Sequence, residues 1–435
     1  MFPANYKIIE GHDESLGLFL NVPTNTAIQN VEEVVYRPVS QMSSTSSYLE
    51  FTVPGTSKYL DLRKTRLYLQ VKITRQDGSN LGPEDDVALI NLAGQTIFGQ
   101  LDVHLNQSPV AKIPAPLYAY KSYTDVLLAN GEEAKETWLQ GSMFYQDTPG
   151  HMNNFRTKGS SSDAGANTAL VQRGNLTALS KVCELEGPLY VDLFQQPRLL
   201  LNNVPLHLRF WQAHDAFRLM GDTSKHTYQL QIVDAQLKVT AVSVMPEIIL
   251  AHEECLSKSP ALYPMLQSDF KVYSMAKGDM FFSADNLWGG SVPSKVILMI
   301  TSAEGFNGHF ERNPFFMDHA NLTSLSFSID GVSKPASKPL TPDYENDKYM
   351  EPFLTLYTAS NMFGRNDGCD ISHYAYKNGY TMYFIDIDGH HSKKFFPLPR
   401  QGHIRLEARF AKPLMESYNV IVYGDTCLYQ DICYQ

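Results

Sequence analysis

Charge is the first thing this 435-residue chain has little of: only 19% of its residues are Asp, Glu, Lys or Arg. The set is also lopsided, with 36 basic residues against 46 acidic ones and a formal net charge of −10. Phosphate binding needs clustered cations, so nucleic acid is not expected as a direct, sequence-specific partner. Long hydrophobic runs are missing too. No stretch approaches the roughly 18–20 apolar residues of a membrane span. The opening residues, Met1-Phe2-Pro3-Ala4-Asn5-Tyr6-Lys7, lack the basic-then-apolar layout of a signal peptide. Cysteine is scarce and odd in number: Cys183, Cys255, Cys369, Cys427 and Cys433. Scattered in this way, they fit free thiols in a reducing compartment better than a disulfide framework. Enzyme signatures are absent: there is no GxGxxG, GxxxxGK[ST], HExxH or GxSxG, and nothing calls for a cofactor.

What is present is a β-rich pattern. Leu67, Leu69, Val71 and Ile73 alternate with Tyr68, Gln70, Lys72 and Thr74. The same period of two runs through Leu101–Asn106, Leu325–Asp330 and His403–Phe410, and each reads as a half-buried strand. Between Leu230 and Val239 the phase slips at Val233-Asp234, as a bulge would make it slip. Turn pairs recur, among them Asp77-Gly78, Asn130-Gly131, Asp330-Gly331 and Asn378-Gly379. Many short strands joined by such turns predict sandwiches or barrels. Two helices are expected, Leu117–Ala129, with a stripe of Leu117, Tyr120, Tyr123, Leu127 and Leu128, and Glu351–Phe363. A turn-rich stretch at 141–180 is expected to project from the body, and a Pro-punctuated loop runs from Ser333 to Pro342.

The two halves repeat one another. Val204-Pro205-Leu206-His207-Leu208-Arg209-Phe210 matches Ile404-Arg405-Leu406-Glu407-Ala408-Arg409-Phe410, and Leu101–Asn106 resembles Leu325–Asp330. In each half the order is strand, loop, helix, strand. A duplicated β-domain follows, with residues 1–245 as the first unit, carrying the 141–180 loop, and 246–435 as the second.

Few constellations carry chemistry. Asp386, Asp388, His390 and His391 are the metal candidates, because carboxylates and imidazoles together suit a divalent ion. A hairpin turn at Asp388-Gly389 explains the same residues without a metal, and Lys393-Lys394 would oppose a cation. His252-Glu253-Glu254-Cys255 lacks the second His of a zincin, and Cys427 and Cys433 have the wrong spacing for a zinc knuckle. Asp85-Asp86 reads as a solvated loop. The cluster Arg63-Lys64-Thr65-Arg66 reads as a polar strand end or an intersubunit ion-pair site. His309 and His319 lie among aromatics in Phe306–Phe316 and just beyond it, a segment that fits an interface anchor and a core plug equally well.

Several motifs together resemble a known family. They are Tyr59-Leu60-Asp61-Leu62-Arg63-Lys64-Thr65, Gln95-Thr96-Ile97-Phe98-Gly99-Gln100-Leu101-Asp102-Val103 and Asp147-Thr148-Pro149-Gly150-His151-Met152. Asp192-Leu193-Phe194, Arg198-Leu199-Leu200-Leu201-Asn202, Leu250-Ala251-His252-Glu253, Phe306-Asn307-Gly308 and Asn313-Pro314-Phe315 extend the set, with Asn378-Gly379-Tyr380-Thr381 and 402–411. On these the chain resembles the hexon-like major capsid proteins of Polinton/Maverick and adintovirus-like elements, and related uncharacterised proteins of invertebrate genomes. The resemblance implies an all-β fold of two tandem eight-stranded antiparallel jelly rolls with one short helix in each. It implies a non-enzymatic homotrimer, a pseudo-hexagonal capsomer packed into an icosahedral shell, with penton and minor capsid proteins as further partners. It places the protein in the virion capsid after synthesis in the host cytoplasm, with assembly in the nucleus as one route. A receptor- or glycan-binding β-sandwich, fibre- or spike-like, is the alternative reading of the residues, and a cupin-type enzyme built on the His390/His391 segment is a third.

Overall fold

The computed structural model describes residues 25–39, 47–158, 165–334, 338–360, 362–365, 368–387 and 398–432. Eight principal strands form in the first half: β1 (Ile28–Tyr36), β2 (Tyr48–Val53), β3 (Tyr59–Arg75), β4 (Phe98–Leu105), β5 (Ser108–Ile113), β6 (Cys183–Pro188), β7 (Leu206–Gln212) and β8 (Tyr228–Val244). Eight more form in the second: β9 (Ala261–Met275), β10 (Phe281–Asp285), β11 (Lys295–Ser302), β12 (Leu322–Ile329), β13 (Val332–Lys334), β14 (Met382–Asp386), β15 (Ile404–Phe410) and β16 (Tyr418–Ile432). The first set orders as β1-β8-β3-β6 and β2-β7-β4-β5, the second as β9-β16-β11-β14 and β10-β15-β12-β13. Advancing every strand of the first set by eight gives the second. The chain is a double jelly roll, each roll a pair of four-stranded antiparallel sheets. Short ladders, Val87–Leu89 with Leu219–Gly221 and Ser291–Val292 with Arg400–Gln401, add to the rolls.

The repeated segments fall on equivalent strands. Leu101 belongs to β4 and Leu325 to β12, while the Arg-Phe strands are β7 and β15. Period two sets the cores as expected: Leu67, Leu69, Val71 and Ile73 are buried on β3, and Ile404, Leu406, Ala408 and Phe410 on β15. The slip at Val233 is a bulge, with the β8–β3 register shifting between Ile232 and Asp234.

Helices depart from expectation in number. Beside α1 (Leu117–Ala129) the first half holds α2 (Thr168–Thr177), and α3 (Pro246–Leu256) links the halves before α4 (Met350–Ala359). Shorter helical turns add to these, so one helix per roll undercounts them. No residue of α3 is fully buried, and Ile249 and Leu256 lie only half-covered against the core, a weak stripe to betray it; Pro at its start and Glu247 in its first turn favour it instead. The stretch 141–180 does not project as expected. Its described residues include buried Met143, Phe144, Asp147, Met152, Asn167, Leu170 and Arg173, and residues 159–164 lie outside the described set. Turn-rich composition hid a segment whose polar groups are internally paired. In the Ser333–Pro342 segment, Leu340 is buried and bridges Leu325.

Candidate assembly site: the seam between the rolls

α1 builds the seam. Among its 13 residues only Lys121 and Asp125 are charged. A stripe on one face was expected, but every residue except Asp125 and Ala129 is buried. The cause is position: the helix packs against β4 of its own roll on one side and meets the second roll on the other. The Asn130 side chain donates to the Val126 carbonyl and closes the last turn, as the Asn-Gly signal implied.

Aromatic rings fill the contact. Tyr123 stacks on Phe315 with centroids 4.2 Å apart, and Tyr120 stacks on Phe306 at 5.5 Å. The Tyr120 hydroxyl donates to the Pro314 carbonyl at 2.8 Å. Burial raises both tyrosine hydroxyls far above their ordinary pKa. The Phe306–Phe316 segment is therefore a plug in the seam, which decides between its two open readings. Thr124 reaches the Met299 sulfur of β11.

Two polar clusters flank the rings. Arg173, fully buried on α2, donates Nε to the Leu89 carbonyl at 2.9 Å and Nη2 to Asp147 at 2.7 Å. Asp147 also accepts from Asn167 at 2.9 Å and from Asn313 of the second roll at 3.1 Å. A buried ion pair satisfied from both sides in this way is costly to break. In the second cluster Lys121 Nζ lies 2.8 Å from Asp125 and 3.0 Å from Asp192. Burial alone would depress the ammonium, but these carboxylates outweigh it and hold its pKa well above the ordinary value.

Elsewhere the surface offers contact chemistry. On the outer face of β1-β8-β3-β6, Arg66 pairs with Glu33 and Glu186, and Lys238 pairs with Glu186 at 2.7 Å. On the other sheets, Arg209 lies over the Tyr48 ring at 5.1 Å and Arg409 over the exposed Phe281 ring at 5.4 Å. These pairs stand on equivalent strands, β2/β7 and β10/β15, and Arg with aromatics is the chemistry of interface anchors.

The residues singled out from sequence do not gather into a reactive centre. Asp386 ends β14 opposite Lys295, while Asp388, His390 and His391 lie outside the described residues. Among the described residues no group of three or more His, Cys, Asp or Glu is placed to hold a metal. Asp85 is not solvated: its side chain is buried against Arg75 at 2.7 Å. Burial opposes ionisation there, yet the Gly82 amide and Arg75 hold its carboxyl below the usual range. Asp86 accepts from the Thr157 amide. Lys64 pairs with Asp61 and Arg66 with Glu33 inside the chain, so the basic cluster has internal partners. His252 on α3 hydrogen-bonds the Tyr59 hydroxyl at 2.9 Å. His319 stacks on Tyr344 at 4.2 Å, where burial lowers its pKa, and His309 accepts from the Glu311 amide. Cys183, Cys255 and Cys369 are free thiols, while Cys433 and the side chain of Cys427 lie outside the described set. Sequence reasoning missed the buried roles of Lys121, Asp147 and Arg173; a sign was available for Lys121 alone, a charge inside the largely apolar Leu117–Ala129 helix.

No family model matches the chain. An uncharacterised protein of Caenorhabditis elegans is 24% identical over 404 residues, which is 89% of this chain and 91% of the relative. Among solved structures, a chain of the Sputnik virophage superposes with a TM-score of 0.60 at 11% identity, covering 99% of this chain and 94% of that one. The Faustovirus major capsid protein gives 0.57 at 9% identity, with 95% and 92% covered. The mavirus major capsid protein gives 0.51 at 11% identity, with 100% and 98% covered. At such identities the likeness is one of fold, and it runs through both rolls: this chain has the double jelly-roll architecture of these viral proteins.

Proposed function

We propose that this chain is a major capsid protein, a non-enzymatic wall subunit whose product is a container. The observation that carries the reading is the fold match over 99% of the chain, with no large part left over to hold a separate activity. Three copies would bring six similar rolls into a ring, a pseudo-hexagonal unit closed by heterologous contacts. The rolls divide at residues 245 and 246, and α3 is the tether. Arg209 with Tyr48 and Arg409 with Phe281 would then anchor contacts between copies or between capsomers. A Polinton/Maverick- or adintovirus-like origin, a place in the virion after synthesis in the host cytoplasm, nuclear assembly, and penton and minor capsid partners belong to the same proposal. With a net charge of −10 the wall would leave the genome to other proteins.

Mass photometry with negative-stain microscopy of the purified chain tests this. Trimers, and closed particles at higher concentration, are expected. A strict monomer across all salt conditions and concentrations overturns it.

A further inference from the structure

The seam holds an imbalance of charge that packing alone does not require. Lys121 of α1 pairs with Asp125 on its own helix and with Asp192 on the turn Asp192–Gln195 of the first roll, while the charge of Asp425 on β16 of the second acts on it from farther off. The Ser268 hydroxyl of β9 joins the rolls, 2.9 Å from Asp192 and 3.3 Å from Asp425. The Tyr423 hydroxyl lies 3.4 Å from both Lys121 and Asp125, and Gln195 donates to Asp125 at 3.4 Å. β11 contributes Lys295, directly across from Asp425, with its ammonium 5.9 Å from the Phe384 ring centroid. β14 contributes Asp386, across from Lys295. On β9, Asp269 and Lys271 pair with one another at 3.1 Å. Acids from both rolls thus outnumber the ammoniums here: Asp125, Asp192, Asp425 and Asp386 stand against Lys121 and Lys295.

We propose that this cluster is a proton-operated latch: Asp425 takes up a proton as the medium moves from neutral to mildly acidic, and the uptake tightens the two rolls against each other. Burial, then the charges of Asp192 and Asp125, push the Asp425 carboxyl up to about 6 against the pull of Lys121. Burial also raises Asp125, though Lys121 opposes it. Protonation leaves two carboxylates around the ammonium and turns Asp425 into a donor with Ser268 Oγ within reach. In the unfolded chain the same carboxyl releases its proton near the ordinary 3.8. Between those values only the folded seam holds the proton, so stability rises as pH falls through about 6, and the cost of the ionised form is fully present above it.

The latch rests on the fold and not on the capsid reading, so it is testable on the full chain in any oligomeric state. Hydrogen exchange at pH 7.5 and 5.0, corrected for intrinsic rates and with the oligomer recorded at each pH, reads it directly. In the wild type, opening of α1 and β16 is expected to be about tenfold rarer at pH 5.0. Asp425→Asn should be protected at both pH values and lose most of that dependence. An unchanged wild-type profile, or the same tenfold change in Asp425→Asn, overturns the proposal. Should the variant fold poorly, an infrared titration of the wild type decides: a protonated-carboxyl band growing with a midpoint near 6 supports the latch, and its absence overturns it.

Discussion

The outer faces of β1-β8-β3-β6 and of β9-β16-β11-β14 occupy the same place in their rolls, yet the middle of β3 is wet there and the middle of β11 is dry. On β3 that face carries Arg66, Tyr68 and Gln70, part of a ladder with Glu184, Glu186 and Lys238. On β11 it carries Ile297, Met299 and Thr301, all buried. The topology is shared, so what differs is the cover: α1 and the turn at Asp192 lie over the second sheet. A strand buried on both faces needs a continuous apolar run, and Val296–Ile300 is one; a strand covered on one face alternates, as Leu67–Thr74 does.

The harshest way to break the dry seam is Asp147→Ala, which strands the buried Arg173 charge. Chemical denaturation should show a loss of about 3–5 kcal/mol. Phe315→Ala removes the ring stacked on Tyr123 and should cost about 3–5 kcal/mol. Calorimetry should resolve two transitions in that variant and a single one in the wild type, because the plug joins the rolls. The sharpest comparison pairs Met299→Ala with Gln70→Ala, two truncations to Ala on equivalent strands. The first should cost about 2–4 kcal/mol and the second about 0.5 kcal/mol or less. Equal losses in urea titrations would erase the distinction between the faces. Smallest is Arg66→Ala in the charged ladder, where about 0–1 kcal/mol is at stake. That loss should vanish in 1 M salt, where the screening length is about 3 Å.

Much of the fold was legible because period two is a local signal. The cores of β3 and β15 and the bulge at Val233 follow from residues a few positions apart, and the repeat joining β7 to β15 from laying one half of the sequence against the other. The seam was not legible in this way. The stripe on α1 was real, but a stripe says only that one face is covered, and Tyr118, Lys121 and Ser122 are covered from the other side. The 141–180 stretch misled for a related reason: Asp147, Asn167 and Arg173 look like surface residues until their partners, over 80 positions away for Arg173 with Leu89, are brought together. The reading of Asp85 failed similarly, since nothing adjacent in sequence announces that Arg75 and Tyr228 converge on it.

In both rolls the first strand lies beside the last: β1 pairs with β8, and β9 with β16. On the ribosome, therefore, neither roll can close until its final strand has left the exit tunnel. The first roll completes its sheets when Val244 emerges, with Tyr120 and Tyr123 facing a partner that has not yet been made. Until the second roll is translated, that aromatic surface stays uncovered, the kind of exposed apolar patch on which partly folded chains aggregate.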